Sequence, residues 1–229
     1  MTKLAVVIGG RGGIGAALVE ALEQQGAYDR VISLSRQSDP AIEFTDIGSV
    51  ERAAGWLAEQ PGEIRLVIDA TGFLHDDRFG PERSLRDLDP DHMSKAFLIN
   101  AIGPAILMRH ILPLLPRDGR SVFATLSARV GSISDNRLGG WHSYRASKAA
   151  LNQLVRGASI ELGRRSKEAV CVALHPGTVD TPLSQPFSKS GLDVRPAGEA
   201  ADDILAVIDG LTAADTGGFF DHKGESIAF

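Results

Sequence analysis

The sequence predicts an α/β fold: one doubly wound parallel sheet with helices on both faces. Three observations carry this reading. Leu4–Ile8 is a short continuous apolar run, the pattern of a strand buried on both sides, and strand-like runs recur at Arg65–Asp69, Ser121–Leu126 and Val170–Leu174. Segments of helical period stand between these runs, and alternating strands and helices make a parallel sheet. The first run passes through Gly9-Gly-Arg-Gly-Gly-Ile-Gly15 straight into a stripe of Ile14, Ala17, Leu18, Ala21 and Leu22. Strand, glycine turn and helix in that order are the frame of a Rossmann-like unit.

Composition bounds the rest. With 229 residues, 43% of them hydrophobic, the chain reads as one globular domain over residues 1–229 with a substantial core. A net charge of −5 argues against a broad nucleic-acid-binding face. Cys171 is the single cysteine, so an internal disulfide is impossible, and its apolar neighbours mark it as an inert buried thiol. Six histidines are scattered without metal-ligand spacing, so no metal is expected. The N-terminus lacks a signal-peptide layout, and no apolar stretch reads as long enough to span a membrane. A soluble, cytoplasmic setting is the expectation.

Along the chain, the glycine loop is the first candidate binding element. Gly10, Gly12 and Gly15 fit G-x-G-x-x-G, while Gly9, Gly13 and Gly15 fit G-x-x-x-G-x-G. Either way the backbone can approach a pyrophosphate, and the following helix presents free N–H groups and a positive dipole end. Val31–Arg36 is the second strand. An NAD-selective site places an acidic residue near its end, roughly 20 residues past the loop. Ser35 and Arg36 stand there instead, and arginine matches a phosphate as a bidentate fork. With Arg11 as a second cation, these residues favour NADP(H) over NAD(H). Ala41–Asp46 reads as a short third strand, followed by a helix containing Val50, Ala53, Ala54, Trp56 and Leu57. Arg65–Asp69 leads into Ala70-Thr71-Gly72. Ala96–Leu115 reads as one long apolar helix that holds Asn100. Glu199–Leu211 reads as a helix, and a strand near Gly218–Phe220 closes the sheet. In such sheets ligands lie beyond the carboxyl ends of the strands, where Gly9, Ser35, Asp46 and Ala70 stand.

Tyr144-Arg-Ala-Ser-Lys148 is the candidate catalytic stretch. The stripe of Leu151, Leu154, Val155, Ala158 and Leu162 makes it helical, so residues four apart share a face. A free phenol titrates near about 10, and a cation beside it favours phenolate. Lys148 is therefore expected to lower the Tyr144 pKa and to fit the tyrosine for general acid–base work. Trp141 and His142 are candidates for a substrate pocket. Residues 181–197 read as a flap in which Leu183, Phe187 and Leu192 could cover an apolar substrate.

Five pieces in order resemble the short-chain dehydrogenase/reductase family over the whole chain: the glycine loop at 9–15, Asn100-x-x-Gly103, the serine region at 127, Tyr144-x-x-x-Lys148 and Pro176-Gly177-x-Val179. Leu126–Asn136 and Gly217–Gly224 are similar to the C-factor and sniffer-type carbonyl reductases. The resemblance implies hydride exchange between a nicotinamide and a carbonyl or alcohol substrate. Tyr144 would exchange the proton, Lys148 would also bond the nicotinamide ribose, and Asn100 would hold a water. A serine would polarise the substrate oxygen. The resemblance also implies that Gly9, Gly10, Arg11, Gly13, Ile14, Gly15, Ser35, Arg36, Ala70, Thr71, Gly72, Pro176, Gly177, Thr178 and Val179 meet the cofactor, that Asp46 and Ile47 border its adenine, and that subunits pair as a homodimer or homotetramer.

The chain departs from the family pattern at three places. Ile8 replaces the usual threonine, and Ala70-Thr71-Gly72 replaces Asn-Ala-Gly. Counting the usual Ser-x-x-Gly back from Gly131 lands on Ala128. A one-residue insertion would bring Ser127 into place, and Ser132 is the second candidate. A cofactor-sensing regulatory protein with little turnover is the alternative reading, as is dehydration or epimerisation on the same scaffold.

Overall fold

The computed structural model describes residues 1–185 and 194–229. The chain runs β1 (Lys3–Ile8), α1 (Gly13–Gln25), β2 (Arg30–Leu34), α2 (Ile47–Ala58), β3 (Glu63–Asp69), α3 (Pro90–Phe97), a π-helical turn (Leu98–Ile102) and α4 (Gly103–Ile111). It continues with β4 (Ser121–Leu126), α5 (His142–Arg165), β5 (Ala169–His175), the two-residue strands β6 (Thr178–Val179) and β7 (Val194–Arg195), α6 (Ala197–Gly210) and β8 (Phe219–Asp221).

Six strands form a parallel sheet in the order β2-β1-β3-β4-β5-β8, and β6 pairs with β7 apart from it. Side chains alternate across each strand. Leu4, Val6 and Ile8 of β1 join Val50 and Leu57 of α2, Leu107 and Ile111 of α4, and Leu151 and Val155 of α5 in one core layer. Ala5 and Val7 face the other way, against Leu18 and Leu22 of α1 and Ile204, Leu205 and Ile208 of α6. The chain leaves β1 toward β2 on one side and returns to β3 on the other. That reversal opens a crevice at the carboxyl ends of β1 and β3.

Three expectations are corrected. The segment 41–46 is not a strand. Its backbone groups are taken locally: Ser49 Oγ accepts from Glu43 N at 2.8 Å and donates to Glu43 O at 2.9 Å, while Asp46 N donates to Glu43 O at 3.0 Å. Ile42 and Phe44 still enter the core, with 4% and 5% exposure, which is why the segment read as a strand. The Ala96–Leu115 helix is not continuous, because the π turn at Leu98–Ile102 interrupts it around Asn100. The joined run Pro90–Leu114 is also long and apolar enough, by length and composition, to cross a membrane. Here Leu107, Met108 and Ile111 of that run lie in the core beside the sheet.

Candidate active site

Two adjoining cavities lie at the carboxyl ends of the strands, and Leu183 lines both. The first, of about 540 Å³, runs along Gly9, Arg11, Gly12, Ser35, Arg36, Glu43, Phe44 and Ala70-Thr71-Gly72. The loop at its floor demands glycine. Gly9 has φ +82°, and a Cβ on Gly15 would stand 2.2 Å from Gly9 O. A Cβ on Gly13 would meet Thr181 Cγ2 at 2.6 Å, and one on Gly10 would meet Ser33 Oγ at 2.2 Å. Gly10 and Gly15 thus serve loop packing, and the cavity wall is Gly9, Arg11 and Gly12. Arg11 donates to Gln37 Oε1 at 2.6 Å, and the exposed Arg36 stands 4.0 Å from Glu43 Oε2. A backbone cradle at a helix N-terminus, beside two guanidinium groups and a serine, suits a dinucleotide with an extra phosphate.

The second cavity, of about 560 Å³, is lined by Ile14, Ser127, Ala128, Trp141, Tyr144, Arg145, Pro176, Gly177, Thr178 and Val179 among others. Tyr144 sits in the first turn of α5, and its ring meets Trp141 edge-on at 6.1 Å. Lys148, one turn on, is buried with its Nζ 6.0 Å from the Tyr144 ring centroid, donating to Leu126 O at 2.7 Å. Gly131 makes room for that turn, because a Cβ there would lie 2.9 Å from Lys148 Cβ.

The expectation that Lys148 lowers the Tyr144 pKa is corrected. Burial pushes the Tyr144 phenol up to about 12. Burial also brings Lys148 down to about 8, opposed by the Asp69 carboxylate. The lysine directs its proton at a backbone carbonyl; desolvation is the cause of the Tyr144 shift and outweighs the Asp69 charge for Lys148.

Asp69 is a site residue that the sequence reading missed. It closes β3 fully buried, accepts from Thr71 Oγ1 at 2.7 Å and from Thr125 Oγ1 at 2.8 Å, and faces Lys148. Burial raises its pKa against those bonds. The available signal was a carboxylate ending an apolar strand.

Asn100 is fully buried and pairs twice with the Phe73 backbone, accepting from its N at 2.7 Å and donating to its O at 2.8 Å. It also donates to Ser147 Oγ at 3.0 Å. Its side chain thus ties the β3–α3 connection to α5. A π turn around it leaves backbone carbonyls off the regular ladder, an arrangement frequent at functional sites.

Of the two serines, Ser127 lines the cavity with Tyr144 and donates to Asn152 Oδ1 at 2.7 Å. Ser132 is outside that lining, and its Oγ accepts from Asp135 N at 3.1 Å. Asp46 and Ile47 also lie off the first cavity. Asp46 precedes α2 and bonds Arg52 at 2.6 Å, while Glu43 and Phe44 take the wall position. His142 is not in the second lining, and Phe187 and Leu192 lie outside the described residues.

A second unforeseen group braces the helix start. The buried Glu82 accepts from Ser143 N, at 3.3 and 3.2 Å, and from Ser143 Oγ, with His92 Nδ1 3.4 Å away.

A parallel sheet with its glycine loop at the switch point, opening on a tyrosine–lysine pair, defines a nicotinamide-dependent oxidoreductase. Residues 9–200 match the family described as Enoyl-(Acyl carrier protein) reductase. The chain is 34% identical over 186 residues to 1-hydroxy-2-glutathionyl-2-methyl-3-butene dehydrogenase of Rhodococcus sp., covering 81% of this chain and 76% of that one. It is 38% identical over 144 residues to C-signal of Myxococcus xanthus, covering 63% and 82%. Among solved structures, carbonyl reductase Sniffer of D. melanogaster superposes with a TM-score of 0.85 at 20% identity over all of both chains. An NADPH-bound carbonyl reductase from chicken fatty liver gives 0.84 at 24%, over 100% and 96%. The chain belongs to the short-chain dehydrogenase/reductase family.

Proposed function

We propose that this protein is an NADP(H)-dependent carbonyl reductase acting on a small-molecule ketone or aldehyde, or on the corresponding alcohol in reverse. The observation that carries the reading is that Tyr144 and Ser127 line one cavity that meets, at Leu183, the groove holding Arg11, Ser35 and Arg36. When bound, the nicotinamide supplies or accepts the hydride. Tyr144 Oη gives its proton to the developing alkoxide, and a phenol held protonated by burial is ready as general acid. Ser127 Oγ lies on the same wall to polarise the oxygen. Lys148, charged below about 8, supplies a cation one turn behind the tyrosine. Ser35 and Arg36 would hold the 2′-phosphate, Gly9 and Gly12 the pyrophosphate, and Thr178 and Val179 the nicotinamide end. Glu43 and Phe44, in place of Asp46 and Ile47, would border the adenine. The protein acts in the cytoplasm as a single-domain subunit of a homodimer or homotetramer, and the exposed Leu154 and Ile160 on α5 support that pairing.

A cofactor-sensing signalling role is the second reading, favoured by the likeness to C-signal. One experiment separates the two. NADPH and NADH are titrated separately, and turnover of a carbonyl panel is compared with that of Tyr144→Phe. Tight NADPH binding with turnover lost in the variant supports the reductase. Binding without turnover in the unmodified protein supports sensing.

A further inference from the structure

Among the described residues, the second cavity is lined by three arginines, Arg129, Arg137 and Arg145, and one carboxylate, Asp135. This is a cationic pocket in a chain of net charge −5. The charges are not equally spent. Arg129 bonds Asp221 Oδ2 at 2.9 Å and stands 3.6 Å from Asp135 Oδ2, so the acidic group that the described residues give this wall is taken. Arg145, the residue after Tyr144, is half-buried and meets only carbonyls: Nε donates to Gly140 O at 3.0 Å and one terminal nitrogen to Val130 O at 3.3 Å. Among the described residues neither Arg145 nor the exposed Arg137 has a carboxylate partner. A guanidinium withdrawn from water without a counter-anion is costly, and neutral carbonyls offset only part of that cost. Among the described residues the second terminal nitrogen of Arg145 has no hydrogen bond, and the exposed Arg137 lines the same cavity.

We propose that the substrate of this site is an anion, a carbonyl compound bearing a carboxylate, with Arg145 as the inner specificity residue and Arg137 as the outer one. The inference rests on the reductase reading for its carbonyl. It stands on its own for the anion, because the cationic wall is present whatever reaction follows. The apolar part of the lining, Leu74, Val130, Leu138 and Trp141, leaves room for a hydrocarbon chain between the two polar ends.

Trp141 lines the same cavity and reports binding independently of turnover. In a Trp56→Phe background its fluorescence is followed while levulinate and its longer straight-chain oxo-acid homologues are titrated, each against its own methyl ester, with NADP+ present. The expected result is that at least one acid binds about tenfold more tightly than its ester, and that Arg145→Gln abolishes the difference, as losing one charge-assisted bond predicts. Arg145→Lys restores part of it. Esters binding as well as acids at every length would overturn the proposal. So would an Arg145→Gln variant that loses acid and ester alike, which marks a brace for the Val130–Gly140 loop. So would a matching loss of NADPH affinity, which assigns the cation to the cofactor. Turnover is read in parallel. Acid-selective binding without NADPH consumption leaves the anion site standing and removes the reductase reading.

Discussion

The carboxyl group of Glu82 receives both the backbone N–H and the hydroxyl of Ser143, the residue immediately before Tyr144. Glu82 is 2% exposed and Ser143 fully buried. Trp141 N also donates to Glu82 O at 2.6 Å, so one residue fixes the chain on both sides of His142. Helix N-termini leave orphan N–H groups, and an acceptor there is favoured by the helix dipole. The tyrosine is therefore set by a long-range carboxyl group; Trp141, the residue at the N-cap position, makes no side-chain cap bond.

Glu82→Ala is expected to destabilise the fold by about 2–4 kcal/mol, because two buried donors lose their acceptor. Glu82→Gln keeps an acceptor and is expected to retain most stability while lowering kcat several-fold with little change in NADPH affinity. Denaturant unfolding and steady-state kinetics together check this. Unchanged kcat in both variants would show that Tyr144 is held without the clamp.

Ser127 is expected to contribute about tenfold or more to kcat, and Ser132 little, since Ser127 and not Ser132 shares the cavity with Tyr144. Among the described residues Asn152 Nδ2 is buried without a partner, while Oδ1 accepts the hydrogen bond from Ser127 Oγ. A half-turn of that amide reverses the roles and frees the Ser127 proton for a substrate oxygen. Asn152→Asp, which has no such donor, is expected to depress kcat toward the level of Ser127→Ala. Kinetics of Ser127→Ala, Ser132→Ala and Asn152→Asp rank the three. A larger defect in Ser132→Ala than in Ser127→Ala contradicts the assignment.

Replacing Arg36 by Ala is expected to weaken NADPH binding about ten- to a hundredfold and to leave NADH binding nearly unchanged, the loss expected for a charge-assisted phosphate contact. Arg36 is exposed, and its ion partner among the described residues, Glu43, is distant at 4.0 Å, so the effect shrinks at high salt. Equal losses for both cofactors would place Arg36 on a shared phosphate instead.

The pH dependence of the cofactor-free protein follows from Lys148 and Tyr144. Folding brings the lysine from 10.5 down to about 8, so between those values the unfolded chain binds more protons and stability rises with pH. Tyr144 is pushed from 10.0 up to about 12, so above 10 the folded chain holds the extra proton and stability falls. The net rise is therefore expected between pH 8 and 10, and Lys148→Met is expected to flatten it. Asp69 raises the lysine value by its charge, so Asp69→Asn is expected to move the basic limb of kcat/KM to lower pH. Denaturation midpoints measured across this range, and the pH–rate profile, give both answers. A slope unaffected by Lys148→Met would assign the rise to other groups.

The sequence by itself determined the sheet, the glycine loop and the Tyr144–Lys148 spacing, because these rest on local periods. Alternation and continuous apolar runs encode buried strands, and a spacing of four on a helix encodes a shared face. Strand β4 appears at Ser121–Leu126 as its apolar run reads. Local pattern misled where tertiary partners chose differently. Residues 41–46 have the composition of a strand, but Ser49 takes the backbone groups a ladder needs. Asn100 sits in a helical stripe, but its pairing with the Phe73 backbone accompanies a π turn. The electrostatics belong wholly to the tertiary structure. Whether a lysine lowers a phenol's pKa depends on how deeply each is buried and on where the ammonium points, and here Leu126 O and Asp69 decide that. Glu82 and Ser143 stand 61 residues apart, and no sequence period records a contact of that kind.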